Sequence, residues 1–403
     1  MTAAPIDLLD LESFEGGQPH DQFAWLRDNA PVHRHSEPDG PGFWAITRHA
    51  DLRAVSRNHK VFSNEPSIMI ADVPAGTPQL DDKMMLMCDP PHHTQLRRLV
   101  SQAFKPRAAR AMAGRVASLA RQIVDEVIER GECDLVSDVA GELPSYVIAE
   151  LLGIPLEDGR KLYALTETIH SAPGALPEGA QAAAAIEMFT YSAGVVAAKR
   201  AKPSDDLASQ LLQAEIDGRK LTDLEFHLFF MLLVDAGGDT TRNLVAGGML
   251  ALLERPDDLA RLRGDLGRLL PTAREELLRF TSPVVYMRRT ATADAEIAGQ
   301  AIAEGDKVVL YYGSANRDSA AFADPDRLDI TRTPNHHVAF GGTGAHYCLG
   351  AHLARIEIDA MLREILTRLN DLELTAAPEW QASTFISGPR SMPVRFRAGH
   401  RSR

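Results

Sequence analysis

Residues 337–350 read His337-Val338-Ala339-Phe340-Gly341-Gly342-Thr343-Gly344-Ala345-His346-Tyr347-Cys348-Leu349-Gly350, and a helical pattern, Ala351-His352-Leu353-Ala354-Arg355-Ile356-Glu357, follows at once. A lone cysteine thus stands where a glycine-rich loop turns into a helix. Glycine has no Cβ, so such a loop can bring backbone N–H groups close to a sulfur. Those donors, with the positive end of the helix, favour a thiolate over a thiol. A buried thiolate needs a cation, and a metal is the obvious one. Cysteine thiolate is one recognised axial ligand of haem iron, where it pushes electron density towards O–O cleavage.

The rest of the chain is compatible with an ordinary globular protein holding such a group. It has 403 residues, 45% hydrophobic and 24% charged, with no long Ser/Gly tract, charge run or internal repeat to mark a linker, and one domain over residues 1–403 is the expectation. Three cysteines (Cys88, Cys133, Cys348) are too scattered for a disulfide framework, and Cys88 and Cys133 read as small buried hydrophobes. A net charge of −12 argues against a nucleic-acid partner. Neither a signal peptide nor an uncharged apolar stretch of about 20 residues is evident, so a cytoplasmic location without membrane attachment is expected.

Most of the sequence has helical periodicity. Residues 42–47 read as a strand before a helix starting near His49. Residues 295–298 and 301–302 read as a hairpin turning at Gly299-Gln300, followed by a strand over 307–311. A second hairpin is expected from 384–386, a turn at 387–390, and 393–396. The longest helix starts at Thr222, where Glu225 three residues on completes a capping box, and runs to about Glu254, where Arg255-Pro256 stops it. Its middle, Ala236-Gly237-Gly238-Asp239-Thr240-Thr241, interrupts an apolar run with two glycines and three polar groups. Glycine costs about 1 kcal/mol inside a helix. The pair therefore serves either close packing against a neighbour or a local opening for a ligand, and the adjoining Asp239-Thr240 favours the opening.

The Cys348 segment resembles the haem-binding loop of the cytochromes P450, with Gly344, His346, Cys348 and Gly350 at the family spacing. One departure is visible: Phe340 lies eight residues before the cysteine, where the family has seven, and Gly341 takes the usual place. The resemblance covers nearly the whole chain. It implies a mainly α fold with small β-sheets, in a single triangular-prism-like domain around a long central helix, binding haem b with Cys348 as the iron ligand. Asp239 and Thr240 match the family's acid–alcohol pair, which supplies and gates protons for oxygen activation. His93 and Arg97, after the turn Asp89-Pro90-Pro91, resemble the propionate-binding helix face, and Arg289 and His346 complete that set. Glu276 and Arg279 match the family's structural Glu-x-x-Arg pair, with Arg327 as the third member.

The segments expected to face substrate include Met85, Met87, Leu233, Ala236, Val284, Val285, Phe385 and Ile386, which are apolar or methionine and suit a greasy, bulky molecule. Asp235 stands where the family is apolar, one turn before Asp239. It either orients a polar group of the substrate or is satisfied by a local hydrogen bond. The implied activity is a monooxygenase acting on a sterol, lipid, terpenoid or polyketide. Desaturation, epoxidation or oxidative coupling at the same haem, and a non-enzymatic haem-thiolate sensor, are the alternatives. No nucleotide-binding Gly-x-Gly-x-x-Gly follows a strand and no cysteine cluster is present, so electrons come from outside. A small acidic ferredoxin with its reductase is the family precedent. Arg97, Arg98, Lys105, Arg107 and Arg110 cluster beside the haem-binding helix and suit such a donor.

Overall fold

The computed structural model describes residues 6–72, 83–169, 176–216 and 218–402. Its longest element is the central helix, Asp223–Leu253, about 46 Å long at 1.5 Å per residue. The expected capping box starts it. Thr222 Oγ1 accepts the Glu225 N–H at 3.0 Å and the Glu225 carboxylate accepts the Thr222 N–H at 2.7 Å. It ends at Leu253, and Pro256 opens the next helix, Pro256–Gly264. Twenty-one of its residues are buried, so the helix is held by tertiary packing on nearly every side rather than by one amphipathic stripe.

Helices wrap this axis. Glu142–Leu152, Leu156–Ile169 and Ala180–Ala201 pack in succession, each also touching the central helix. Ala351–Arg368, the helix that follows Cys348, lies between Pro106–Val127 and the central helix. Together these enclose the main apolar core.

A five-stranded sheet flanks the helices, in the order Val32–His35, Phe43–Ile46, Lys307–Tyr311, Tyr286–Ala291, Phe62–Ser63. The 307–311 strand is parallel to 43–46 and antiparallel to 286–291. It is buried on both faces, as its unbroken apolar run requires. The helix after 43–46 starts at His49 as expected. The hairpin Ala295–Ile297/Gln300–Ile302 forms, but its turn lies one residue earlier, at Ala298 and Gly299 (φ +49° and +83°). A two-residue hairpin turn needs both central residues in the left-handed region, which Gln300 would not readily adopt.

The C-terminal hairpin is a correction. Pro393–Arg397 pairs with Asn370–Leu374 and Glu132–Asp134, and Pro389–Ser391 pairs with Glu379–Trp380. Residues 384–386 instead dock on the chain before Tyr286. Val285 N–H donates to the Phe385 carbonyl at 2.8 Å and Ser387 N–H to the Pro283 carbonyl at 2.8 Å, with Val284 bridged to Ile386. Ser383 Oγ accepts the N–H groups of Phe385 and Ile386, which a hairpin ladder would otherwise use. Among the described residues no single helix is long and apolar enough to cross a membrane.

Candidate active site

Cys348 sits just ahead of the Ala351–Arg368 helix, and its N–H donates to the Phe340 carbonyl at 2.9 Å. The loop reaches this geometry through two glycines in the left-handed region, Gly341 (φ +92°) and Gly344 (φ +105°). Gly344 is doubly constrained, because a Cβ there would lie 2.7 Å from the Ser56 carbonyl oxygen. These two turns absorb the extra residue between Phe340 and Cys348. The Phe340 ring packs on the Arg355 side of the loop, under the guanidinium at 4.5 Å, with the Tyr347 ring 6.4 Å away.

Cys348 keeps accessible surface as a residue. Burial raises its thiol. The N–H groups of Gly350 and Ala351 and the charges of Arg97 and Arg355 pull the other way. These are the loop and helix-start donors that a thiolate ligand needs.

Basic groups converge beside it. His93, on the His92–Val100 helix, and His346 have ring centroids 4.1 Å apart. Burial, reinforced by cationic neighbours, depresses both, His93 to about 4 and His346 to about 2. His93 Nδ1 and His346 Nε2 are buried without a partner among the described residues. Arg289, 4% exposed, donates to the Arg288 carbonyl and bonds Tyr312. Arg97 donates to the Tyr347 carbonyl at 2.7 Å. Two orphaned imidazole nitrogens and a buried guanidinium beside Cys348 fit a metal-bearing ligand with carboxylate arms. Among the described residues there is no competing cluster of metal-ligating side chains.

On the central helix, Ala236 is exposed between half-buried neighbours, and Thr240, one turn on, is half-buried with its hydroxyl donating to the Ala236 carbonyl at 3.1 Å. This stripe is the accessible side. Gly237 and Gly238 lie off it, and here the expectation of a local opening fails. A Cβ on Gly237 would lie 2.7 Å from Ile148 Cδ1, and one on Gly238 would lie 2.8 Å from Tyr163 Cδ2. The glycines admit the side chains of two packed helices. Asp239 is buried, held by the Tyr163 hydroxyl at 2.8 Å and by Arg242 Nη2 at 3.0 Å. Burial raises its carboxyl, opposed by Arg242 and Tyr163, with Asp235 and Glu167 adding to the rise. Asp235 therefore shares the Asp239 side of the helix and is half-buried.

The remaining predicted pocket residues divide. Leu233 and Met85 lie in the main core, and Val285 packs with Leu8, Phe23 and Tyr311. Met87, Val284, Phe385 and Ile386 retain accessible surface, and the Phe385 ring meets Tyr286 edge-on at 5.2 Å.

Glu276 and Arg279 form a fully buried bidentate pair, both bonds 2.8 Å. The third side chain is a correction. Arg327 is exposed and offers Arg279 only its carbonyl, whereas Arg332 Nε donates to Glu276 at 3.0 Å. The 323–327 segment folds so that its carbonyls, not its side chains, face inward, and Arg332 collects three of them while reaching Glu276. Sequence reading also missed Tyr163, Glu167 and Arg242. Only Arg242, three residues after Asp239, was visible as an i, i+3 pair.

Residues 181–379 match the family model "Cytochrome P450". The chain is 39% identical over 409 residues to the methyl-branched lipid omega-hydroxylase of Mycobacterium tuberculosis, covering 97% of this chain and 94% of that one. It is 36% identical over 404 residues to the steroid C26-monooxygenase of Mycolicibacterium smegmatis, at 97% and 93% coverage. Cytochrome P450 CYP268A2 of Mycobacterium marinum, solved with pseudoionone, superposes with a TM-score of 0.90 at 38% identity, covering 98% of this chain and all of that one. A sulfur donor at a helix start, orphaned basic groups beside it, and full-length likeness to these enzymes agree: the chain belongs to the cytochrome P450 family of haem-b monooxygenases.

Proposed function

We propose that this enzyme hydroxylates a C–H bond of a bulky apolar lipid or sterol-like molecule in the cytoplasm, using O2 and electrons from a ferredoxin and its reductase. The observation that carries the reading is an accessible cysteine at a helix start with the orphaned His93 and His346 nitrogens beside it, in a chain whose central helix presents Ala236 and Thr240 on its accessible stripe. Cys348 would ligate the iron. His93, Arg97, Arg289 and His346 would take the propionates, and Phe340 and the glycines Gly344 and Gly350 would shape the cradle. When bound, the haem supplies the site at which dioxygen is activated. The chain's own residues do the rest. Thr240 presents a hydroxyl on the accessible stripe, and Asp239, kept protonatable by burial, supplies it with protons. Met87, Val284, Phe385 and Ile386 keep water from the apolar substrate, and Asp235 orients its polar group.

The substrate class draws support from the relatives named for methyl-branched lipids and steroids. The ferredoxin draws support from Arg98, Lys105, Arg107 and Arg110, which are exposed and form no salt bridge among the described residues. The test is a reduced carbon monoxide difference spectrum, then a Soret-shift screen with a methyl-branched fatty acid and cholesterol, and product analysis. The thiolate-type CO band with a substrate-induced shift is the expected result. A CO complex lacking that band, or the same product yield in Asp239→Asn, contradicts the proposal.

A further inference from the structure

Asp239 is the buried end of a line of polar side chains that reaches the protein surface. The Tyr163 hydroxyl lies 2.8 Å from Asp239 Oδ1 and 3.3 Å from Glu167 Oε1, so one phenol spans two carboxylates. Exposure grades along the line: the Glu167 side chain is 43% exposed and that of Asp239 10%. Arg242 binds both acids and lays its guanidinium over the Tyr163 ring at 5.1 Å. Gly238 completes the arrangement, since any Cβ there would strike that ring. Asp235, on the same side of the central helix, is the other charged group facing Asp239.

We propose that Glu167 and Tyr163 form the solvent-side end of a proton line that supplies Asp239 and, through it, Thr240. Arg242 cannot serve in this role. A guanidinium only donates hydrogen bonds and stays protonated, so it fixes the two carboxylates without passing a proton between them. A hydroxyl both donates and accepts. A hydronium ion from bulk solvent gives its proton to the Glu167 carboxylate and leaves as water, and the resulting acid gives that proton to the Tyr163 oxygen as the tyrosine's own O–H proton passes to Asp239. Tyr163 is neutral before and after, Glu167 is again a carboxylate, and Asp239 is protonated. One proton moves and no electron does. Burial raises the phenol, which keeps it from becoming an anion, and raises Asp239, which lets it hold the proton it receives. The line rests on the reading of Asp239-Thr240 as the acid–alcohol pair.

The test uses the holoenzyme with a methyl-branched fatty acid as substrate and three variants, Tyr163→Phe, Glu167→Gln and Asp239→Asn. Tyr163→Phe keeps the ring that Gly238 accommodates, so the packing survives. With O2 and reductant it should turn over about tenfold more slowly, with an enlarged solvent deuterium isotope effect. With iodosylbenzene, an oxygen donor that needs no proton delivery, it should match the wild type. Independently of turnover, the infrared carbonyl stretch of protonated Asp239, identified by its loss in Asp239→Asn, should shift in Tyr163→Phe because its hydrogen-bond partner is gone. Glu167→Gln should slow turnover in the same direction. Wild-type turnover in Tyr163→Phe, an equal loss with iodosylbenzene, or an unshifted carbonyl band overturns the line. An impaired Asp239→Asn beside an unimpaired Tyr163→Phe leaves the acid–alcohol pair standing, and an unimpaired Asp239→Asn removes both.

Discussion

Arg332→Met and Arg327→Met separate the arginine that braces the buried Glu276 from the one that only lends its backbone. Glu276 has no exposed surface, and its two oxygens take Arg279 Nε and Nη2 at 2.8 Å, Arg332 Nε and Asn335 Nδ2 at 3.0 Å, and the Asp329 N–H at 2.9 Å. Arg332→Met removes one hydrogen bond to a charged buried group, worth about 1.5–3 kcal/mol. Arg279 stays in place, so the loss stops short of the roughly 3–5 kcal/mol of a buried charge left unpaired. The other Arg332 contacts, to the Ala323, Asp324 and Arg327 carbonyls, lie near the surface, where water replaces them. The net expectation is about 2 kcal/mol for Arg332→Met, against at most about 0.5 kcal/mol for Arg327→Met. With an unfolding entropy of about 2.1 cal/mol/K per residue, 2 kcal/mol in a chain of this length lowers Tm by about 2–3 °C. Thermal unfolding of the two holoenzyme variants, followed by far-UV circular dichroism at one scan rate and pH, reads the difference. A Tm loss in Arg327→Met equal to or larger than that in Arg332→Met refutes the assignment.

Both glycines of the central helix should resist alanine. Gly238→Ala drives a methyl into the Tyr163 ring and Gly237→Ala drives one against Cγ1 and Cδ1 of the buried Ile148, so overpacking costs each about 1–3 kcal/mol, offset in part by the roughly 1 kcal/mol helix gain. A urea unfolding midpoint raised in either variant would contradict the packing role. His20 is pushed from 6.5 to about 3 by burial, with Arg317 adding to the shift. The unfolded chain therefore binds a proton that the folded one refuses, and its stabilising contribution, complete above pH 6.5, is lost as pH falls towards 3. His20→Phe should flatten the acid side of a Tm–pH profile, and an unchanged slope counts against it. Gln381 accepts from the fully buried Asn243 Nδ2 at 3.1 Å and so ties the turn bearing Phe385 and Ile386 to the central helix. Gln381→Leu should cost about 1–3 kcal/mol and weaken the substrate-induced Soret shift; an unaltered titration with unaltered stability would show that the tie is idle.

What the sequence discloses here follows from distance along the chain. The central helix was readable to within a residue because its capping box and its Arg255-Pro256 stop are local signals, as were the 43–46 and 307–311 strands. The 384–386 segment was misread because its apolar alternation says nothing about partners. Ser383 and the chain at 283–285 satisfy its backbone groups, and neither is a hairpin signal. The glycine pair was misread for the same reason: Ile148 and Tyr163 arrive from 89 and 75 residues away in sequence. Around Cys348 the cysteine at a helix start and the turn glycines of its loop were legible, since a loop built from consecutive residues has a fixed spacing. Spacing points to Arg327 and is silent on Arg332, because it cannot tell a carbonyl that faces inward from a side chain that does.

The central helix carries distinct requirements on adjacent sides, and their conflict explains why its polar residues are arranged as they are. Asp239, Arg242 and Asn243 are all buried within it, a combination that is costly unless each group is bonded. The helix itself cannot supply those bonds, since its own backbone groups are already used. The partners come from outside, from Tyr163 and Glu167 on the Leu156–Ile169 helix and from Gln381. A hydrogen bond to a charged group is worth about 1.5–3 kcal/mol, so swinging Asp239 away from Tyr163, and from the Arg242 charge beside it, would cost at least that on every cycle. A carboxylate so held does better by staying still and exchanging protons through a partner that can both give and take one. Of its two neighbours only Tyr163 has that chemistry, and only because Gly238 lets the ring come close enough. The glycine that looked like room for a ligand is room for a hydroxyl.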